Sequence, residues 1–517
     1  MKIANLGVIF LTALVFASCS SSPQARRPAG VTFAQAVPRD LSDAAKQFRS
    51  WVNGPLFNPD TCAQGLSEIY DSFYRLTPDY FDREKLKGNA LEVSREFWMA
   101  RMELRKKFAE WVKQSGLVQT QCVDAVRRAF LMSRFLEEYV AEWKLAPPAP
   151  NPKALRPAWS GDGEPWILRS PALGDAPIEF KSGDVLMSRG NAFTSAAIAR
   201  VGDVDGGFSH LAVVYIDEKT KEKYTVEAHI EVGVVVLPFE KYFTDGKVRS
   251  VLFRYPDAAV AHQAAKIVYD RAKAATAAGA NIPYDFAFDP EDDHEVFCAE
   301  IVDIAFRQAS GGKMRLPLFP SKMSAKNRDF LNDIGMSVQQ TFAPMDMDVD
   351  PRFELLAEWR DLARTHDVHK KDAALTRMFE WMETYDYVLV KSAWTRFSAK
   401  VLRTLRRWPI FSDLLHDRLP TNMSARTVAA TFVLGDAAGA LYEAVGEVDS
   451  AHHSSTHEWL TPYQMGQELD RFREKDLKTW QTWKAWFEKN QYTGNSEKDP
   501  EPPKAKLHDY FRARKLL

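Results

Sequence analysis

The sequence predicts an α+β protein: a central domain, an antiparallel sheet with helices, is flanked by all-α regions at both ends. Two observations carry this prediction. Short runs of β-forming residues separated by turn residues crowd into residues 175–310, which favours an antiparallel meander. On both sides of this region, apolar residues recur with the spacing of a helix face, as Leu104 and Phe108 illustrate before it and Leu469 and Phe472 after it.

Length and composition narrow the class of protein. The 517 residues are too many for one ordinary domain. Of these residues 45% are hydrophobic, and the net charge is only −1. A nucleic-acid-binding protein normally shows a clustered basic excess, so we expect no nucleic-acid partner.

Changes in composition divide the chain into seven segments. A proline-rich stretch, Ala146 to Pro152, is typical of a stiff linker that ends the first helical region. The predicted segments are a signal peptide (1–18), a tether (19–40), a helical domain (41–145), a linker (146–174), a central mixed domain (175–345), a second helical domain (346–490) and a loosely ordered tail (491–517).

The N-terminus carries a targeting signal. Lys2 is followed by an apolar run, Leu6 to Ala17, which is too short to span a bilayer but typical of a signal-peptide core. Ala17 and Ser18 before Cys19 resemble the lipobox of bacterial lipoproteins, although Phe16 replaces the usual Leu. The resemblance implies that Cys19 is acylated and anchors the protein in the bacterial cell envelope, on the outer membrane facing the periplasm. The alternative is an ordinary secretory signal with an incidental cysteine.

The four cysteines then have different expected roles. In an oxidising compartment, Cys62 and Cys122 can pair as a disulfide within the N-terminal helical domain. Cys298 is left as an unpaired thiol, which is a candidate reactive group. The alternatives are that Cys298 is a small buried apolar residue, or that Cys62 and Cys122 are also free.

The central region offers the groups that a cysteine hydrolase requires: a thiol, a base, and a polar group that orients the base. His210 opens one predicted strand and Glu227 ends the next, so pairing of the strands brings them close together. Cys298 lies at the start of an amphipathic helix, where backbone N–H groups lower a thiol pKa and bind an oxyanion. His229 is the alternative orienting residue.

These residues belong to five short motifs in a recognisable order. The motifs are Gly183–Leu186, Phe208–Val214, Val226–Ala228 with Gly233 and Val234, Pro283–Phe286, and Phe297–Val302. Together they resemble the permuted papain-like amidases of the YiiX/YebB type within the NlpC-related superfamily, in which the histidine strand precedes the cysteine helix. Ala299 departs from the Ser that many relatives carry.

The resemblance implies that residues 175–345 form a permuted papain-like cysteine hydrolase domain. It implies that Cys298 is the nucleophile, His210 the base and Glu227 the orienting residue. It also places Tyr284 and Asp285 near the substrate-binding cleft, with a role for Asp285 as a helix or loop cap as an equal alternative.

The predicted function is therefore that of an envelope-anchored cysteine hydrolase, an amidase or peptidase, acting on an amide or acyl bond. Its expected partners are the membrane and a peptidoglycan peptide or lipid substrate, and acyltransferase chemistry stays open. The rival hypothesis is a non-catalytic envelope scaffold or wall-peptide-binding lipoprotein. No cofactor is expected. The pairs His366/His369 and His453/His457 have helical spacing but lack the wider ligand context of a zinc site, so no metal is predicted.

Overall fold

The structure, a computed structural model, describes most of the chain from residue 36 onwards. The described residues are 36–144 apart from 56 and 116–119, 166–320 apart from 175–177, 203–204 and 245, 332–401 apart from 334, 337, 339, 393–394 and 396–397, and 422–490 and 501–517. The predicted lipidation site, Cys19, and the tether up to residue 35 lie outside the described residues.

A seven-stranded antiparallel sheet forms the centre of the molecule, with helical regions on both sides in sequence, which confirms the α+β class. The order across the sheet is β1-β9-β6-β2-β3-β4-β5. Its strands are β1 Trp166–Arg169, β2 Val185–Gly190, β3 His210–Ile216, β4 Lys223–His229, β5 Gly233–Pro238, β6 Lys247–Arg254 and β9 Glu354–Arg360. Two short pairs lie outside the sheet: β7 Phe319–Pro320 with β8 Gln340–Thr341, and β10 Tyr387–Leu389 with β11 Phe511–Ala513.

The helices surround this sheet and flank it in sequence. They are α1 Leu41–Asn53, α2 Cys62–Tyr74, α3 Arg83–Ser115, α4 Thr120–Lys144, α5 Phe193–Ile198, α6 Phe239–Thr244, α7 Ala258–Ala277, α8 Glu300–Ala309, α9 Leu362–Tyr385, α10 Ala425–Thr456 and α11 Pro462–Asn490. Successive side chains of a strand lie on opposite faces of the sheet and pack in two different hydrophobic cores. Leu211 and Val213 pack in the same core as α7 and α8, whereas Ala212 and Val214 pack in a second core with α6.

The structure differs from the segment prediction at one edge of the sheet, formed by β1 and β9, and at the C-terminus. Strands β1 and β9 come from segments that the sequence assigned to the linker and the second helical domain, yet both join the central sheet. The C-terminus is also more ordered than expected. Leu507 and Phe511 are fully buried, and β11 pairs with β10.

The N-terminal helices are joined by a disulfide between Cys62 and Cys122, whose Cα atoms are 5.8 Å apart. Cys298 is the free cysteine among the described residues, and it is buried. In the same part of the chain, only α10 is long and apolar enough to cross a membrane by length and composition, and half of its most apolar stretch is buried within the protein.

Two buried histidines on α9 join the N-terminal and C-terminal helical regions. His366 contacts Glu142 through Nδ1 at 2.9 Å and Asp449 through Nε2 at 2.6 Å. His369 contacts Glu142 and, at 2.6 Å, Glu138. Burial opposes the charged ring, but the surrounding carboxylates outweigh it and raise the pKa of His366 to about 9 and that of His369 to about 10. In both His366 and His369, which have the helical spacing of zinc ligands, carboxylates therefore contact both ring nitrogens.

These contacts predict a loss of stability at alkaline pH. Because the pKa of each ring is higher in the folded chain than its ordinary value of about 6.5, the stabilisation is complete below that value and is lost as pH rises through about 9 to 10. We expect the melting temperature to fall between pH 8 and 10.5, and His369→Gln to lower it at pH 7. His452→Gln, near the end of α10, serves as a control. An unchanged melting temperature across this range would contradict the assignment.

Candidate active site

The side chains of His210 and Glu227 meet across two neighbouring strands. Strand β3 pairs with β4 so that Ala212 lies opposite Glu227, which brings the first residue of β3 towards the end of β4. The Nε2 atom of His210 lies 2.7 Å from Oε2 of Glu227. The Glu227 side chain is buried and that of His210 is 13% exposed, so the contact is shielded from bulk water.

Three further groups surround the Glu227 carboxylate. The Thr225 hydroxyl donates to Oε1 at 2.6 Å, His229 Nε2 lies 3.1 Å from Oε2, and the Lys247 ammonium lies 3.9 Å from Oε2. Burial alone would raise the pKa of the Glu227 carboxyl. The Lys247 charge and the bonds from His210 and His229 outweigh burial and hold this pKa well below its usual range, so Glu227 is ionised at neutral pH.

His210 is uncharged in this environment. Burial, reinforced by the positive charge of Lys247, lowers the pKa of His210 to about 4 in spite of the Glu227 carboxylate. A neutral imidazole carries one N–H, and an ionised carboxylate only accepts hydrogen bonds. We therefore assign the proton to Nε2, which donates to Glu227 and leaves the lone pair on Nδ1 available as a base.

Cys298 lies in the turn before α8 and packs against the start of β3. Its thiol donates to the carbonyl oxygen of Ser209 at 3.6 Å, and the backbone N–H of Leu211 also faces the sulfur. The thiol therefore lies against the backbone on both sides of His210. The helix begins at Glu300, with Ala299 as its N-cap, slightly later than the sequence pattern suggests.

The ionisation of Cys298 differs from the sequence-based expectation. A position near a helix N-terminus is expected to lower the pKa of a thiol. Here the side chain is 1% exposed, and burial raises the pKa of Cys298 to about 12 despite the favourable backbone N–H groups. The structure therefore holds the thiol and the imidazole in their neutral forms.

Tyr284 and Asp285 lie in the loop that precedes Cys298, and their environments differ. The Tyr284 ring is buried, and its hydroxyl faces the Cys298 thiol and has no other hydrogen-bond partner among the described residues. Asp285 accepts hydrogen bonds from the backbone N–H groups of Ala287 and Asp289, both at 2.6 Å. These contacts agree with the capping alternative for Asp285 and leave Tyr284 as the polar group that faces the thiol.

The C-terminal helical region borders this site. The side-chain amide of Asn422 donates to the backbone carbonyl of Tyr284 at 2.7 Å. Beside it, Met423 and Val428 form a small apolar cluster that packs against Ile230 and Phe286. Ile230 follows His229 directly and Phe286 follows Asp285, so this cluster packs next to two of the segments that carry the candidate site.

Two residues near the site, Thr225 and Lys247, were not singled out in the sequence. Thr225 could have been found, because it lies two residues before Glu227 and therefore on the same face of β4. Lys247 could not, because it opens β6, which is not a neighbour of β4 in the sheet. His229 was the alternative orienting residue, and the structure places Glu227 rather than His229 in hydrogen-bonding contact with His210.

The comparison with curated proteins yields no match to this chain. The comparison with family models gives a match that contains His210, Glu227, Tyr284 and Cys298 and ends within strand β9. Residues 179–357 of the chain match the model of the permuted papain-like amidase enzymes, YaeF/YiiX, C92 family, and this match indicates a hydrolase.

Proposed function

We propose that the protein is a cysteine hydrolase in which Cys298 is the nucleophile, His210 the general base and Glu227 the residue that orients the base. The observation that carries the proposal is the 2.7 Å contact between His210 Nε2 and the buried Glu227 carboxylate, with the free thiol packed against the backbone on both sides of His210. The family match over this region supports hydrolase chemistry.

The neutral resting forms of both groups define the first step. Because the pKa of Cys298 is raised and that of His210 is lowered, the thiol transfers its proton to Nδ1 of His210 as it attacks the acyl carbon, and not beforehand. Glu227 stabilises the imidazolium that forms. The tetrahedral intermediate collapses to a thioester, His210 protonates the leaving group, and water or another acceptor then cleaves the thioester.

The developing oxyanion requires hydrogen-bond donors. The backbone N–H of Cys298 is the first candidate, and the buried Tyr284 hydroxyl, which faces the thiol and has no other partner among the described residues, is the second. Removal of one such donor typically lowers kcat by about 10² to 10³-fold.

Tyr284→Phe is therefore expected to lower kcat by about 10²-fold with little change in the melting temperature, because the ring stays and only the hydroxyl that faces the Cys298 thiol is lost. Steady-state kinetics and thermal melting measure the two effects. Tyr255→Phe, elsewhere in the same core, serves as the matched control. An unchanged kcat would remove Tyr284 from the mechanism.

The substrate class follows from the proposed location. The N-terminal segment with Cys19 supports lipid anchoring in the bacterial envelope, on the outer membrane facing the periplasm, where peptidoglycan stem peptides and lipids both lie within reach. We test this by incubating the purified protein with peptidoglycan fragments and, in parallel, with phospholipid vesicles, and by following the products with mass spectrometry. Cys298→Ala is the control. Turnover of either substrate by wild type and not by Cys298→Ala supports the proposal, and equal turnover by both proteins contradicts it.

The burial of Cys298 favours a second candidate function, that of a non-catalytic wall-peptide-binding scaffold. Cys298 and Tyr284 are 1% and 2% exposed, and the Asn422 side chain donates a hydrogen bond to the backbone of the loop that carries Tyr284. A scaffold would bind peptidoglycan fragments equally well with and without the Cys298 thiol and would release no product. The same incubation therefore distinguishes the two functions.

A further inference from the structure

Two imidazole rings converge on one carboxylate oxygen at the candidate site. His210 Nε2 and His229 Nε2 lie 2.7 and 3.1 Å from the same atom, Oε2 of Glu227. Each of the three residues can offer one ligand atom to a metal ion, and these atoms lie within 4.8 Å of one another. Hydrolysis needs only one histidine beside Glu227, so the second histidine is not explained by the catalytic role.

This donor set is the one that zinc prefers at an open site. Two imidazole nitrogens and one carboxylate oxygen leave a fourth, tetrahedral position for water. Zinc–ligand bonds of about 2.0–2.2 Å place neighbouring ligand atoms roughly 3.3–3.5 Å apart, so the two imidazole–carboxylate contacts of 2.7 and 3.1 Å need to lengthen by less than about 1 Å. Thr225 holds the other carboxylate oxygen at 2.6 Å and fixes the orientation of Glu227.

Access and charge determine how tightly an ion would bind. The His210 and His229 side chains are 13% and 21% exposed, so an ion can reach them from one side. The Lys247 ammonium, 3.9 Å from Glu227 Oε2, repels a cation and weakens the site. The arrangement therefore favours reversible binding over a permanent structural ion.

We propose that His210, Glu227 and His229 form a reversible zinc site whose occupation inhibits the hydrolase. This inference rests on the proposed function. When Zn²⁺ bonds to Nε2 of His210, the ring keeps its single proton, which shifts from Nε2 to Nδ1. Nδ1 is then a donor and can no longer accept the Cys298 proton, while Glu227 is engaged by the ion.

The test uses the full-length Cys298→Ala chain, which removes the thiol as a competing ligand. Titration with zinc chloride in a calorimeter is expected to show one ion per chain. In this background Glu227→Gln and His229→Ala are expected to weaken binding at least tenfold, whereas Lys247→Met is expected to tighten it several-fold. His452→Ala, in the histidine cluster near the end of α10, is the matched control and is expected to change nothing. Thermal melting verifies that each variant is folded.

The opposite results would overturn the inference. They are no zinc binding by the Cys298→Ala chain, binding that is unaffected by both Glu227→Gln and His229→Ala, or binding lost in His452→Ala. In the wild-type chain, zinc is expected to block labelling of Cys298 by an acyl probe, and a chelator is expected to restore it. Labelling that depends on Cys298 without zinc binding would leave the proposed function intact and exclude only the zinc site.

Discussion

Replacing Glu227 by glutamine is expected to lower the rate of thioester formation at Cys298 by about 10³ to 10⁴-fold while the protein stays folded. Glutamine keeps the shape of the side chain but loses the negative charge. The carboxylate lies 2.7 Å from Nε2 of His210 and keeps the ring proton on this nitrogen. It also stabilises the imidazolium that forms when the ring takes the thiol proton. An amide can donate to the ring as well as accept from it, so the correct tautomer is no longer enforced.

Single-turnover kinetics with an acyl probe, followed by mass spectrometry, measure this rate. Glu222→Gln is the matched control, because Glu222 lies in the exposed turn that leads into β4 and makes no contact with His210. A loss of less than tenfold in Glu227→Gln would show that Glu227 does not orient the base. Thr225→Val, which removes one donor to the same carboxylate, is expected to show a smaller loss.

The largest expected effect on stability comes from Glu358, which lies in β9 and joins the sheet to the N-terminal helices. Its carboxylate accepts hydrogen bonds from Arg249 at 2.6 Å, Arg134 at 2.8 Å and Arg101 at 3.5 Å. All four side chains are buried. Burial alone would raise the pKa of the Glu358 carboxyl, but the three guanidinium groups outweigh it and hold the pKa far below its usual range.

Glu358→Ala is expected to lower the free energy of unfolding by about 3–5 kcal/mol, because it leaves three buried guanidinium groups without their shared acceptor. Urea unfolding followed by circular dichroism measures the change. Glu354→Ala is the matched control on the same strand, where the side chain is exposed, and it is expected to cost less than about 0.5 kcal/mol. A decrease in the free energy of unfolding of less than about 1 kcal/mol for Glu358→Ala would mean that other carboxylates near the three guanidinium groups replace Glu358 as their acceptor.

Local patterns were sufficient to predict the α+β class and the strands of the central sheet from β2 to β6. Each of these strands is a short β-forming run beside a turn, so its signal is contained in a few neighbouring residues. The addition of β1 and β9 to the sheet depends on pairings between residues at least 100 positions apart, such as Arg254 with Glu354, which no local pattern reports. The ordered structure of residues 505–513 also depends on distant contacts, because the Asp476 carboxylate accepts hydrogen bonds from backbone N–H groups 30 and 32 residues further along the chain.

At the candidate site, too, features set by neighbouring residues were predictable and features set by distant contacts were not. The contact between His210 and Glu227 was predictable, because both residues lie on consecutive strands of a meander. The protonation state of Cys298 was not, because the helix N-terminus that lowers a thiol pKa is visible in the sequence, whereas the burial that raises it depends on the packing of distant segments. The presence of Lys247 at the site was not predictable either, because the order of strands in the sheet, which places β6 near the site, is not visible in the sequence.

In the proposed mechanism His210 activates Cys298 as a nucleophile, and covalent labelling of the thiol measures this activation without knowledge of the substrate. A thiol-reactive acyl probe is incubated with wild type, Cys298→Ala and His210→Ala, and the modified peptide is identified by mass spectrometry. The proposed mechanism predicts a label on Cys298 in wild type, none in Cys298→Ala and a rate lowered by at least 10²-fold in His210→Ala. Labelling that persists in Cys298→Ala, or that is as fast in His210→Ala as in wild type, would contradict it.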